Sequence, residues 1–252
     1  MRDLTGRSLL AVFAHPDDES LACGGLLAWC ADRGVRVTLV CVTGGEGRGA
    51  GDVRARELEA AARVLGVADV VMLDHEDGML PWVDATVFEA DIRDAIRACR
   101  PDVVITFGED GLYWHPDHIA VHERTTAAVA AFGQDAPALY YVTMPPGRMR
   151  AVVDAVAAQK PSSSLFILGI SDADAFGTLA AEPTLVVEAG AFAVRKLAAI
   201  KCHRSQLADD ALEMLSEDEA VRLLGTEHFR RASVGSSGDA FIEDFGHARS
   251  PA

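Results

Sequence analysis

Short apolar runs rich in β-branched residues alternate with stretches of helical period over the first 145 residues, and this alternation leaves the chain few architectures to choose from. Residues 8–14 (SLLAVFA), 35–43 (VRVTLVCVT), 69–73, 103–107 and 138–143 read as strands. Between them, residues 21–33, 52–65, 84–99 and 117–132 read as helices. Asp52 and Gly66 are expected to cap the second helix. A strand that is apolar along its whole length is buried on both faces. A parallel sheet covered by helices on each side provides that burial. The expected class is therefore α/β, a Rossmann-like, mostly parallel sheet with helices on both faces over residues 1–145. The C-terminal third is less regular. Residues 165–170 and 184–188 read as strands and 192–203 as a helix. Residues 235–252 read as a tail ordered through Phe241 and Ile242 and otherwise frayed. The expectation is a single domain, 1–252, in which 146–234 supplies the substrate pocket and closing elements.

Charge removes several functional classes. With 23 basic against 38 acidic residues the net charge is −15, which repels nucleic-acid phosphates and anionic lipid surfaces. No basic patch offsets it, so neither nucleic acid nor membrane is an expected partner. The five cysteines, at 23, 30, 41, 99 and 202, form no paired motif and read as reduced, small buried hydrophobes. The apolar run from Leu9 to Ala14 is too short for a signal peptide, and no run suffices to span a bilayer, so the expected location is cytoplasmic.

Ligands of open parallel sheets bind outside the carboxyl ends of the strands. Those ends are crowded with acids and imidazoles. His15-Pro16-Asp17-Asp18-Glu19 follows the first strand, Glu46 lies in a glycine loop after the second, and Asp74-His75-Glu76-Asp77 follows the third. The fourth is followed by Glu109-Asp110-Gly111-Leu112-Tyr113-Trp114-His115-Pro116-Asp117-His118. His15 and Asp18 are three apart, as are His115 and His118. Either pair alone reads more readily as helix capping or a surface feature. Two such pairs, each directly after a strand, can instead deliver three N/O donors to a divalent ion and leave a position open for water. Asp17 then remains beside the ion as a carboxylate able to take a proton.

The sequence resembles the PIG-L/LmbE family of metal-dependent N-deacetylases, through Ala14–Glu19 and the segment His115-Pro116-Asp117-His118. The similarity extends through Thr43-Gly44-Gly45-Glu46-Gly47, Arg54–Leu58, Asp77-Gly78, residues 196–206 and Gly225–Phe229, in order. The resemblance implies one divalent metal, zinc or alternatively ferrous iron, bound by His15, Asp18 and His118. It implies Asp17 as general base. His115, protonated, would serve the oxyanion or leaving amine, with Asp117 orienting it. Tyr113 would cover the substrate carbonyl, and Glu46, Arg54 and Asp77 would hold sugar hydroxyls. The implied partner is a small amino-sugar conjugate, and a homo-oligomer is among the assemblies the family carries.

The expected activity is hydrolysis of an N-acetyl group on a glucosamine-type conjugate. A mycothiol-conjugate-type amidase uses the same machinery on a different amide. A non-haem iron oxygenase shares the two-histidine, one-carboxylate ligand set, but the parallel sheet argues against it. An inactive sugar-binding module would not need Asp17 and His115. Gly45–Ala50 resembles a dinucleotide loop only superficially, because Glu46 would face a pyrophosphate. The sequence leaves the role of His203 undefined, and Trp82 and Trp114 read either as sugar-stacking walls or as packing.

Overall fold

The computed structural model describes residues 3–45, 51–159 and 165–248, with side chains from 3–45, 53–159 and 165–245. Its core is the alternating pattern read above: β1 (Ser8–Phe13), α1 (Asp18–Asp32), β2 (Arg36–Thr43), α2 (Gly51–Leu65), β3 (Asp69–His75), α3 (Ala85–Cys99) and β4 (Val103–Phe107). A short helix α4 (Gly111–Trp114) precedes α5 (Pro116–Ala130) and β5 (Ala138–Thr143). One sheet of eight strands runs β3-β2-β1-β4-β5, all parallel, and continues through β7 (Thr226–Gly235), β6 (Leu185–Glu188) and β8 (Gly246–Ala248), each antiparallel to its neighbour. Sequence order reverses between β1 and β4, so the switch point lies where the two histidine motifs leave the sheet.

Burial follows position. The side chains of β4 and β5 are buried throughout and those of β2 after its first residue. Edge strand β3 is only half covered, and Val71 and Met72 remain exposed. Helix α3 starts where Asp84 accepts the backbone N–H groups of Thr86 and Val87, and it packs with α5 on one face of the sheet. On the other face α1 packs with α2 and α7 (Ala193–Ile200). All five cysteines are free.

Several expectations need correction. The first helix begins at Asp18 rather than at 21, so the acidic motif forms its first turn. Helix α2 opens at Gly51, one residue before its expected cap. Residues 165–170 are not a strand. Leu168 and Gly169 take consecutive positive φ values of 47° and 81°, which reverse the chain so that Ile167 pairs with Ile170. The buried Asp210 carboxylate fixes that turn by accepting the Leu168 N–H. Helix α7 ends at Ile200, before His203. β7 extends to Gly235, which makes this side of the sheet antiparallel. The tail returns over α1, where Phe245 stacks on Trp29 at 4.5 Å, and it adds β8 instead of fraying from 235. Between them α6 (Arg148–Ala157), α8 (Ala211–Met214) and α9 (Glu217–Leu224) complete the C-terminal part.

Helix α1 is broken at Cys23 (φ −148°, ψ 21°). The backbone N–H groups that the break frees, on Gly25 and Leu26, donate to the two carboxylate oxygens of Glu227 at 2.8 and 2.9 Å. Lys196 in turn reaches Glu227 Oε1 at 2.7 Å, with both side chains buried.

Candidate active site

Three side chains converge at the switch point, Asp18 turning one carboxylate oxygen to each histidine. His15 Nδ1 lies 3.1 Å from His118 Nε2 and 3.5 Å from Asp18 Oδ2, and His118 Nε2 lies 3.3 Å from Asp18 Oδ1. Tetrahedral ligands at about 2.0–2.1 Å from a zinc-like ion are spaced about 3.3 Å apart, so the three residues have the spacing such an ion requires. The tautomers agree. His118 Nδ1 donates to the Gly111 carbonyl at 3.0 Å, which leaves Nε2 as the inward-facing lone pair. Burial pushes the His118 imidazole down to about 3, so it stays neutral. Burial works to raise the Asp18 carboxyl, but His118 and His15 outweigh it and hold the group at about 2. His15 Nε2 faces Asp77 Oδ1 at 3.0 Å and Asp117 Oδ2 at 3.2 Å, the carboxylate-to-histidine contact that orients a metal-binding ring. Gly111 permits the close approach: a Cβ there would lie 2.9 Å from that of His118, and its φ is 53°.

Asp17 precedes α1 with φ 127° and ψ −28°, outside the regions comfortable for any residue but glycine, and its side chain does not cap the helix. Instead its carboxylate enters the cleft, where Arg54 Nη2 lies 3.3 Å from Oδ2. Burial, followed by the charge of Asp18, pushes the Asp17 carboxyl up to about 7, against the pull of Arg54. Arg54 is itself buried and committed elsewhere: it donates to the carbonyls of Gly45 at 3.1 Å and Pro16 at 2.9 Å. Among the residues expected to hold sugar hydroxyls, Arg54 is thus directed at Asp17. Asp77 faces the cleft beside His15, and Glu46 lies outside the described residues.

His115 caps α5: its Nδ1 accepts the Asp117 N–H at 3.2 Å. That nitrogen carries no proton, and burial followed by the charge of His15 lowers the ring's pKa. In this arrangement Nε2 is the ring nitrogen left to face the cleft. Asp117 thus meets the His115 ring through its backbone N–H, and its carboxylate is engaged elsewhere. It sits on His15 Nε2 and accepts the N–H groups of Gly78 (2.7 Å) and Leu80 (3.1 Å), docking the loop after β3 against α5. Tyr113 stands in α4 between Leu112 and Trp114, each with φ 65°, and its ring lies edge-on to His118 at 5.2 Å.

A cleft of about 110 Å³ gathers His15, Asp17, Asp18, Arg54, Asp77, Tyr113 and His115. Leu21, Leu112, Leu168, Ile170 and Gln206 complete its wall. The sequence reading missed the 168–170 turn and Gln206, because an apolar turn carries no chemical signature. Trp82 and Trp114 are exposed and do not line the cleft. His203 is fully buried, with Nε2 2.9 Å from Glu19 Oε1.

A family profile described as PIG-L: GlcNAc-PI de-N-acetylase matches residues 10–129. The chain is 34% identical to the 1D-myo-inositol 2-acetamido-2-deoxy-alpha-D-glucopyranoside deacetylase of Acidothermus cellulolyticus, over 94% of each protein. In fold it is similar to the N,N'-diacetylchitobiose deacetylase of Pyrococcus horikoshii (TM-score 0.64, 23% identity, 90% of this chain and 84% of that one). It is also similar in fold to the 4-carboxy-2-hydroxymuconate hydratase of Pseudomonas putida (TM-score 0.63, 19% identity, 93% and 99%). That one fold serves both a deacetylase and a hydratase makes the site, and not the sheet, the guide to chemistry. With this identity along nearly its whole length, and the ligand spacing at its switch point, the chain belongs to the PIG-L family of de-N-acetylases.

Proposed function

We propose that the protein hydrolyses the N-acetyl amide of a glucosamine–inositol conjugate, with a divalent ion, zinc or alternatively ferrous iron, held by His15, Asp18 and His118. The observation that carries this reading is the set of 3.1, 3.3 and 3.5 Å separations among the three side chains, with the buried Asp17 carboxylate beside them. The acidic surroundings fit a cation, since Asp17, Asp18, Asp77 and Asp117 all stand at the site. When bound, such an ion polarises the substrate carbonyl and lowers the pKa of a water molecule.

The remaining chemistry belongs to side chains. Asp17 takes the proton of the attacking water and, once protonated, returns it to the departing amine nitrogen. His115 Nε2–H faces the cleft as a neutral donor for the developing oxyanion, which requires no ring protonation. Tyr113 borders the same space and covers the reacting carbonyl. Asp77 accepts sugar hydroxyls. Leu21, Leu168 and Ile170 offer an apolar wall for the acetyl methyl. Arg54 serves Asp17, steadying the carboxylate between turnovers.

The test is release of free amine from N-acetylglucosaminyl-inositol by zinc-loaded protein, compared with its Asp17→Asn variant. Loss of a general base costs about 10²–10⁴-fold. Asp17→Asn should therefore lose at least about a hundredfold in kcat while elemental analysis finds the metal retained. A loss below about tenfold with full metal content excludes Asp17 as the base.

A further inference from the structure

We infer that Glu19 and His203 are positioning residues for the proton-accepting carboxylate, clamping the Asp17 backbone in a conformation that it would otherwise leave. The inference rests on the reading of Asp17 as the base. A residue held at φ 127°, ψ −28° needs its surroundings to keep it there. Its own side chain does not, because the carboxylate makes no capping bond and points into the cleft.

The backbone N–H of Asp17 donates to Glu19 Oε2 at 3.1 Å. The Asp17 carbonyl accepts the N–H groups of Ser20 (3.2 Å) and Leu21 (3.3 Å), which ties the other side of the residue into the first turn of α1. Glu19 is completely buried and does not line the cleft. Its second oxygen is fixed by the Ser20 hydroxyl and by His203 Nε2 at 2.9 Å. Both oxygens are thus engaged away from the donor triad, so Glu19 is not a fourth ligand. A buried carboxylate requires an opposing charge or several donors, and His203, equally buried, provides one from 184 residues away.

The turn bearing His203 is braced to the site. Ser205 donates its N–H and hydroxyl to the Glu57 carboxylate at 2.9 and 2.6 Å, on the same helix as Arg54. Gln206 donates its N–H to the His203 carbonyl at 2.9 Å and lines the cleft. One short turn therefore fixes Glu19, contacts the helix that carries Arg54, and contributes a wall residue. A clamp of this kind acts on kcat, since displacing a catalytic group by about 1 Å costs on the order of a hundredfold.

The experiment uses the full zinc-loaded chain with N-acetylglucosaminyl-inositol. Glu19→Ala, His203→Ala and the conservative pair Glu19→Gln and His203→Gln are made alone and in an Asp17→Asn background. The alanine variants should lose about 10–100-fold in kcat, with KM within about twofold and metal content unchanged. Glu19→Gln should recover part of the loss, because its amide oxygen still accepts the Asp17 N–H. In the Asp17→Asn background neither alanine should cost anything further, because the effect runs through Asp17. In metal-free protein, amide exchange at Asp17 should quicken at least about tenfold in both alanine variants, a readout independent of turnover. Unchanged kcat, or a loss that adds in full to that of Asp17→Asn, overturns the inference, as does metal loss in step with activity. If Asp17→Asn itself keeps full turnover, the base reading fails. Unchanged Asp17 exchange in Glu19→Ala overturns the clamp regardless. Should an alanine variant not fold, the glutamine variants decide through the same kcat and exchange measurements.

Discussion

Asp17 combines a φ of 127° with a carboxylate pressed against Asp18, and both features can be separated by substitution. Glycine removes the carboxylate and the backbone strain together, whereas asparagine removes the charge and keeps most of the strain. Positions of this kind cost about 1–3 kcal/mol. In metal-free protein Asp17→Gly should therefore melt higher than Asp17→Asn by several degrees, at about 2–4 °C per kcal/mol for a chain of this size, with both inactive. Equal melting temperatures would show that the conformation is not strained. Arg54 supports a pH test. Its guanidinium favours the ionised Asp17, and a base must be unprotonated to act. The acid limb of kcat/KM should therefore follow Asp17, below the value of about 7 that the site has without a cation. Arg54→Met removes the positive charge, raises the Asp17 carboxyl, and should move that limb to higher pH. A limb that stays put or moves down assigns it to another group.

Among the elements, α1 is the most constrained, since it starts at the proposed ligand Asp18 and is broken five residues later at Cys23. Glu227 repairs the break by accepting from Gly25 and Leu26 while paired with Lys196. A Cβ on Gly25 would lie 2.6 Å from that of Ala189, so the helix approaches its neighbours too closely for any other residue there. Removing one partner of a buried pair costs about 3–5 kcal/mol. Glu227→Ala should lower the melting temperature by roughly 6–20 °C, and by more than Lys196→Met, which leaves the helix N–H groups satisfied. A smaller loss in Glu227→Ala than in Lys196→Met would remove Glu227 from its capping role. The sequence announced the elements whose cause is local. The five parallel strands are apolar throughout or nearly so, and the two histidine motifs are short segments placed by strand ends. What it concealed depends on distant partners. Glu227 is 202 residues from Gly25, His203 is 184 from Glu19, and the Asp117 carboxylate meets His15 from 102 away. The 165–170 run is apolar like a strand, yet the Leu168–Gly169 reversal makes it a turn, and Gly169 is the one local signal of it.

At the scale of the whole molecule, a chain of net charge −15 places Asp17, Asp18, Asp77 and Asp117 around the donor triad. Among the described residues, no helix is long and apolar enough to cross a membrane. The triad joins residues 103 apart, His15 after β1 and His118 in α5 after β4. It can come together only once the central strands β1 and β4 have paired, a contact between segments far apart in sequence. An ion whose ligands need that pairing in place would stabilise the finished fold more than the route to it. Chelation should therefore accelerate unfolding in denaturant jumps and leave the refolding rate within about twofold. A refolding rate that rises steeply with added zinc would mean the ion gathers its ligands early. Otherwise, on the proposed metal reading, the two histidine motifs would work as a latch on the time axis: the protein would fold at a speed set by its sheet and, once loaded, stay folded for a time set by its metal.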